Sequence, residues 1–284
     1  MTNHPSFDLN DFIKNALAED VGDGDHTSLS CIDSSAEGKA QLIVKDEGVI
    51  AGVELANLIF KTIDPTITIE VKLADSSFVT NGDIALLVKG KVHSILKAER
   101  LVLNCIQRMS GIATKTNRLV QKLNGLKTKL LDTRKTTPGF RMLEKWAVQI
   151  GGGVNHRFGL FDMILIKDNH VDYVGGIKQA IASANKYIKE KNKKLKIEIE
   201  VRNMNELKEV LEVGSVDRIM LDNFSLVDLK KAVELIDGKF ETEASGKITE
   251  ENIRQYAECG VDYISVGALT HSYKSLDMSL KAVR

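Results

Sequence analysis

The 284-residue chain is 43% hydrophobic and 27% charged, an ordinary globular balance with room for one large or two ordinary domains. Lysine plus arginine and aspartate plus glutamate both total 39, so no global field draws the chain to nucleic acid or a membrane surface, and any anion must be captured locally. No apolar stretch approaches the roughly 18 residues that span a bilayer, the opening MTNHPSFDLNDF lacks a basic-then-apolar leader, and Cys31, Cys105 and Cys259 lie far apart, so reduced thiols in a cytoplasmic protein are expected, with neither a disulfide framework nor a zinc site.

Leu9, Phe12, Ile13, Ala16 and Leu17 recur at helical spacing behind Asp8, a suitable N-cap, and Gly22 stops them. Residues 19–28, EDVGDGDHTS, read as loop; His26 among acids suggests a metal loop, but the EF-hand ligand order is missing and a hydrogen-bonded turn is the better reading. Residues 38–93 alternate short β-rich runs (Ala40 to Val44, Thr66 to Leu73, Ile84 to Val88) with one helical pattern, Val53 to Ile63, the texture of an α+β domain. From Ser94 to about Gly125 the pattern is helical with an interruption at Ser110-Gly111. Within it, adjacent Glu99 and Arg100 read as solvated side chains on different faces.

Beyond Gly125, strand-like runs end near Asp132, Lys167, Glu200, Asp222, Ser245 and Gly267, with helical patterns between them. Such alternation predicts a parallel βα barrel or a large fragment of one. LIKDN, IEIEV and IMLDN each end an apolar run in a charge. A charge inside a strand costs several kcal/mol unless paired, so Lys167, Glu200 and Asp222 are expected at strand ends facing one mouth. Arg134, Lys135, His156, Arg157 and Lys167 all fall within residues 131–170 and point to an anion. Two arginines and two lysines exceed what one phosphate needs, so two anionic ligands are expected. The glycine turns Ser245-Gly246-Lys247 and Val266-Gly267-Ala268 suit a phosphate cradle. Carboxylates at Glu200 and Asp222, without a Cys or His cluster, suit Mg²⁺ better than Zn²⁺. His156 could be a base, but Arg157 beside it disfavours a protonated ring, so a hydrogen-bonding role is as good a reading.

DTRKTTPG, KWAVQIGGGVNHR, LIKDNH, EVRN, LDNF, EASGKIT and GVDYISVGALTHS, in this order, resemble quinolinate phosphoribosyltransferase, the carboxylating nicotinate-nucleotide pyrophosphorylase family of NAD biosynthesis. The resemblance runs from residue 19 to the end. It implies an α/β fold: an N-terminal α/β sandwich domain over residues 1–112, joined by the segment 272–284, and an incomplete, TIM-like βα barrel over 113–271. It implies transfer of phosphoribosyl from phosphoribosyl pyrophosphate to quinolinate with loss of pyrophosphate and carbon dioxide, in a homodimer or a multiple of one. Arg134, His156, Arg157 and Lys167, with Thr133 beside them, would bind quinolinate, and Lys135 would lie between the two substrates. Glu200 and Asp222 would hold the ribose hydroxyls and Mg²⁺, and the turns at 245–247 and 266–268 the 5′-phosphate. Arg100 would reach the neighbouring subunit's barrel mouth, against its solvated reading. Lys247 stands where the family often has a second glycine, and either alters the turn or adds a cation to it. Another phosphoribosyltransferase of this fold and a non-catalytic phosphosugar-binding barrel are the alternatives.

Overall fold

A computed structural model describes residues 8–283. It divides into two compact units, one built from the chain up to residue 115 with 142–151 and 273 onward, the other from 116–141 and 152–272.

In the first unit, helix Leu9–Val21 begins at Asp8, whose side chain accepts from the Asn10 amide, and ends at Gly22 in a left-handed backbone, as its sequence pattern predicts. The expected loop at 19–28 shrinks to four residues, because a second helix, His26–Cys31, starts on an Asp25 cap. A four-stranded antiparallel sheet runs in the order Met278–Val283, Glu37–Val44, Ile84–Lys91, Thr68–Val71. Helix Val53–Ile63 buries Leu55, Ala56, Ile59 and Phe60 at helical spacing.

The interruption read at Ser110-Gly111 is absent: helix Val92–Lys122 is continuous. Both residues serve packing. The Ser110 hydroxyl accepts from the Ala51 amide at 2.9 Å and donates to the Ala51 carbonyl at 3.2 Å. A Cβ on Gly111 would stand 2.9 Å from the carbonyl carbon of Lys274, so the small residue marks a close backbone approach.

The second unit carries six parallel strands, β1 (Lys129–Leu131), β2 (Ile164–Ile166), β3 (Ile197–Val201), β4 (Arg218–Asp222), β5 (Glu241–Ser245) and β6 (Tyr263–Ser265). They are hydrogen-bonded in the order β1-β6-β5-β4-β3-β2. The last strand therefore pairs with the first, which is barrel closure, and the opening lies between β1 and β2. The segment before His156 enters that gap: Val154 forms a parallel bridge to Leu131, its amide donating to the Leu130 carbonyl at 2.8 Å. Helices Ile177–Glu190, Met204–Val213, Leu226–Ile236 and Ile253–Glu258 cover the strands. Their starts are locally encoded where Asn203 and Ser225 accept from amides of the first turn.

Candidate active site

Alternate residues on a strand share a face, so the parallel register stacks inward side chains in layers. Glu198 of β3 stands beside Arg218 of β4, which is also beside Glu241 of β5; one step up, Glu200 and Glu243 flank Met220; at the top Ser245 lies beside Asp222. The carboxyl ends open into a pocket of about 790 Å³. Thr133, Arg134, Lys135, His156, Arg157, Lys167, Glu200, Asp222, Ser245, Gly246, Lys247, Val266, Gly267 and Ala268 all line it. Arg100 does not line it; it lies exposed on helix Val92–Lys122. At the amino ends of the strands, Lys127, Lys129, Lys196 and Lys239 rim a different cavity of about 650 Å³. Lys127 and Lys196 are paired there with Asp262 at 3.0 Å and Glu241 at 3.8 Å.

The cations are held by backbone and by each other's loops. The Asp132 carboxylate, fully buried, accepts from the His156 amide at 2.9 Å, tying the residue after β1 to the segment that fills the gap. The Thr270 hydroxyl donates to the Lys135 carbonyl at 2.9 Å. Arg157 Nη1 donates to the Met163 carbonyl at 3.1 Å; burial, and then the Arg134 charge, lower its proton affinity. Lys167 Nζ stands 3.7 Å from Glu200 Oε2. The Glu200 carboxyl is pushed up, chiefly by burial, with Lys167 opposing and Asp222 adding to the rise. Two oxygen donors that repel across a mouth form a hard donor set, suited to a divalent cation of the Mg²⁺ type.

The glycine turns are shaped for close approach. Gly246 has φ +93°, and a Cβ there would meet the Asn223 side chain and come within 2.9 Å of its amide nitrogen. Lys247 also adopts a left-handed backbone, φ +53°, so the turn is kept although a side chain is present. The Asn252 side chain donates to its carbonyl at 3.2 Å. A Cβ on Gly267 would lie 2.9 Å from Lys135 Cδ, so the lysine side chain crosses directly over this turn.

At the floor of the pocket, which His156 and Glu243 line, lies a charged cluster that the sequence reading, with its charges only at strand ends, did not contain. Glu198 and Glu243 are fully buried inside their strands. His156 Nε2 sits 3.0 Å from Glu198 Oε2 and 3.4 Å from Glu243 Oε2, and Arg218 Nη1 donates to Glu243 Oε2 at 3.1 Å. Burial opposes a charged imidazole, but the two carboxylates outweigh it and push His156 up to about 9, the reverse of the effect expected from Arg157. At the same time the Arg157 amide donates to Nδ1 at 2.7 Å, which leaves that nitrogen bare and the ring proton on Nε2. The amide decides the tautomer, so the extra proton of the cluster rests on a carboxylate. Burial, and the neighbouring Glu243, push Glu198 up to about 7. Burial also opposes ionisation of Glu243, but His156, Ser265 and Arg218 prevail and hold it low. A protonated Nε2 offers no lone pair, and Arg218 already supplies a cation, so the trio is a proton-sharing group rather than a metal centre although its candidate ligand atoms lie within 4.8 Å of one another. The signal that could have found it is the period-two recurrence of acids in IEIEV and ETEAS, which puts Glu198 under Glu200 and Glu243 under Ser245.

The chemistry available to this mouth is to hold two anions against each other, the work of a group-transfer barrel acting on a phosphorylated substrate. Residues 112–281 match the family profile described as quinolinate phosphoribosyl transferase, C-terminal domain, and residues 25–110 match its N-terminal domain. The chain is 48% identical to the chloroplastic carboxylating nicotinate-nucleotide pyrophosphorylase of Arabidopsis thaliana, over 98% of this chain and 84% of that one. It is 46% identical to the enzyme of that name in Oryza sativa subsp. japonica, also chloroplastic, over 98% and 78%. A crystal structure of NadC from Streptococcus pyogenes superposes with a TM-score of 0.92 at 39% identity, covering 100% of both chains. The chain belongs to the quinolinate phosphoribosyltransferase family. The cytoplasmic location expected from the sequence does not stand, because both plant relatives are named chloroplastic. Among the described residues no helix is long and apolar enough to cross a membrane.

Proposed function

We propose that the chain transfers the phosphoribosyl group of phosphoribosyl pyrophosphate to quinolinate with decarboxylation, giving nicotinate mononucleotide, pyrophosphate and carbon dioxide. The observation that carries the reading is the pocket at the barrel mouth, where a cationic half (Arg134, Lys135, Arg157, Lys167, with His156 below) adjoins a half formed by Glu200, Asp222 and two glycine turns. The first half suits a dicarboxylate, because guanidinium groups pair with carboxylates through two parallel bonds. The second suits a phosphosugar, with the turns at 245–247 and 266–268 taking the 5′-phosphate and the two carboxylates the ribose hydroxyls.

The reaction needs positioning and charge stabilisation rather than a protein nucleophile. The pyridine nitrogen forms its bond to ribose C1 as the C1–oxygen bond breaks, and the electron pair leaves with pyrophosphate. Glu200 and Asp222, on the rim of the same pocket, would face the positive charge that develops on the ribose, and Lys135, which crosses Gly267, would stabilise the departing anion. The carbon–carboxylate bond next to the ring nitrogen then breaks: carbon dioxide leaves, the bond's electron pair stays on that ring carbon, stabilised by the adjacent positive nitrogen, and takes up a proton. Glu200 and Asp222 would hold Mg²⁺ largely through the substrate; when bound, the ion would neutralise charge on the pyrophosphate. The working unit is a homodimer in which Arg100, exposed and outside this chain's own pocket, completes the partner's site.

Quinolinate and nicotinate supplied separately with phosphoribosyl pyrophosphate and Mg²⁺ test the reading. Carbon dioxide and pyrophosphate release with quinolinate alone is the expected result. Turnover of nicotinate without carbon dioxide would replace it with another phosphoribosyltransferase, and no pyrophosphate with either would leave a binding protein.

A further inference from the structure

The cations proposed for quinolinate come from two separate loops. Arg134 and Lys135 follow β1, whereas His156 and Arg157 follow the segment that fills the barrel gap. The charges of Arg134 and Arg157 are close enough to act on each other. An empty pocket must hold these like charges together without an anion between them. Asp132 ties the residue after β1 to the His156 backbone, and the stretches beyond Arg134 and Arg157 are joined by a different side chain.

Arg141 does that. Its Nε donates to Thr136 Oγ1 at 2.9 Å, and its Nη1 donates to the Phe158 carbonyl at 3.0 Å. The Thr136 hydroxyl in turn donates to the Arg134 carbonyl at 3.5 Å, and Phe158 directly follows Arg157. The Arg141 guanidinium also lies 5.9 Å from the centre of the Phe158 ring. On the far side of Phe158, its amide and that of Gly159 both donate to the Asp162 carboxylate, at 2.6 and 2.9 Å, so the bridge is anchored to a loop that is itself closed. Arg141 is moreover the first residue of helix Arg141–Ile150, where the helix dipole disfavours a cation. A local rule broken at that position, with two directed bonds gained, marks a placement made for the loops rather than for the helix.

The geometry points to Arg141 as a positioning residue for quinolinate: a fork that bridges the Arg134 and Arg157 loops and sets the spacing of the guanidinium pair that receives the dicarboxylate. It rests on the reading of the pocket given above. Arg141 touches no substrate in this account and acts only through the two loops. A lysine, with one point charge, cannot reach both acceptors in the same fixed geometry.

Steady-state kinetics with each substrate varied in turn test it, using Arg141→Ala, Arg141→Lys, Thr136→Val, Thr136→Ser and Arg134→Ala. Loss of the bridge is expected to raise the KM for quinolinate at least about tenfold in Arg141→Ala, with the KM for phosphoribosyl pyrophosphate within about twofold of normal. Arg141→Lys is expected to fail to restore it. Thr136→Val, which leaves the helix start intact, is expected to move quinolinate KM the same way, and Thr136→Ser, which keeps the hydroxyl, to restore it. Unchanged quinolinate KM in both Arg141→Ala and Thr136→Val, or an equal rise in both KM values, would overturn the assignment. Arg134→Ala separates the two levels: if it leaves quinolinate KM unchanged, the pocket reading itself fails; if it raises KM while the Arg141 and Thr136 variants do not, only the bridge fails. Should Arg141→Ala not fold, the Thr136 pair decides alone.

Discussion

Replacing Arg218 by Met probes the buried charge cluster on which the barrel interior depends. Arg218 donates to Glu243 at 3.1 Å and to Glu241 at 3.2 and 3.3 Å, and its guanidinium lies 4.1 Å from the centre of the Tyr263 ring. Glu198 and Glu243 are both wholly inaccessible, so the substitution strands their charge where water cannot reach it. Breaking one side of a buried ion pair costs roughly 3–5 kcal/mol, far above the exposed pairs on the helices. Part of that cost is avoidable at low pH, where the pair can take up a proton, so the loss should be larger at pH 8 than at pH 5. Urea titration followed by far-ultraviolet circular dichroism is the appropriate assay, because the single tryptophan, Trp146, belongs to the other unit. A loss below about 1 kcal/mol, or one that is the same at both pH values, would refute the assignment of Arg218 as the charge that makes the two buried glutamates tolerable.

The pH dependence of the wild-type chain follows from the same cluster. Glu198 binds its proton more tightly folded than unfolded, so its contribution is complete at low pH and is lost as pH rises through about 7. Glu198→Gln should flatten the lower part of that decline, and an unchanged slope between pH 5 and 7 in denaturant titrations would remove Glu198 from the cluster's proton balance. Gly246→Ala should raise the KM for phosphoribosyl pyrophosphate and destabilise the fold by at least about 1–2 kcal/mol, since it forces a side chain into a left-handed backbone against Asn223. Normal KM and a normal unfolding midpoint would show that the turn does not need its close approach.

Much of the mouth is legible in the chain because burial constrains where charge can stand. Lys167, Glu200 and Asp222 close apolar runs, and each does line the pocket from the carboxyl end of its strand. The same rule hid Glu198 and Glu243, since a charge within a strand is excluded only when nothing pairs with it. Their partners, His156 and Arg218, come from other segments, and no local pattern announces the pairing. Ser110 and Gly111 misled for a related reason. Alone they resemble a helix break, and only the Ala51 backbone and the Lys274 carbonyl, both distant in sequence, show what a hydroxyl and a missing side chain are for.

The sequence by itself determined the alternation of strands and helices, the six charged or glycine-bearing strand ends and, by resemblance, the family. Apolar periodicity and local caps suffice for these because they act over a few residues. Tertiary structure alone decided that Val154 bridges to β1 at the barrel gap, that His156 is aimed at two buried carboxylates, and that Arg141 spans the loops of Arg134 and Arg157. Those outcomes depend on the last strand pairing with the first, a contact between ends of the barrel that no window of neighbouring residues contains.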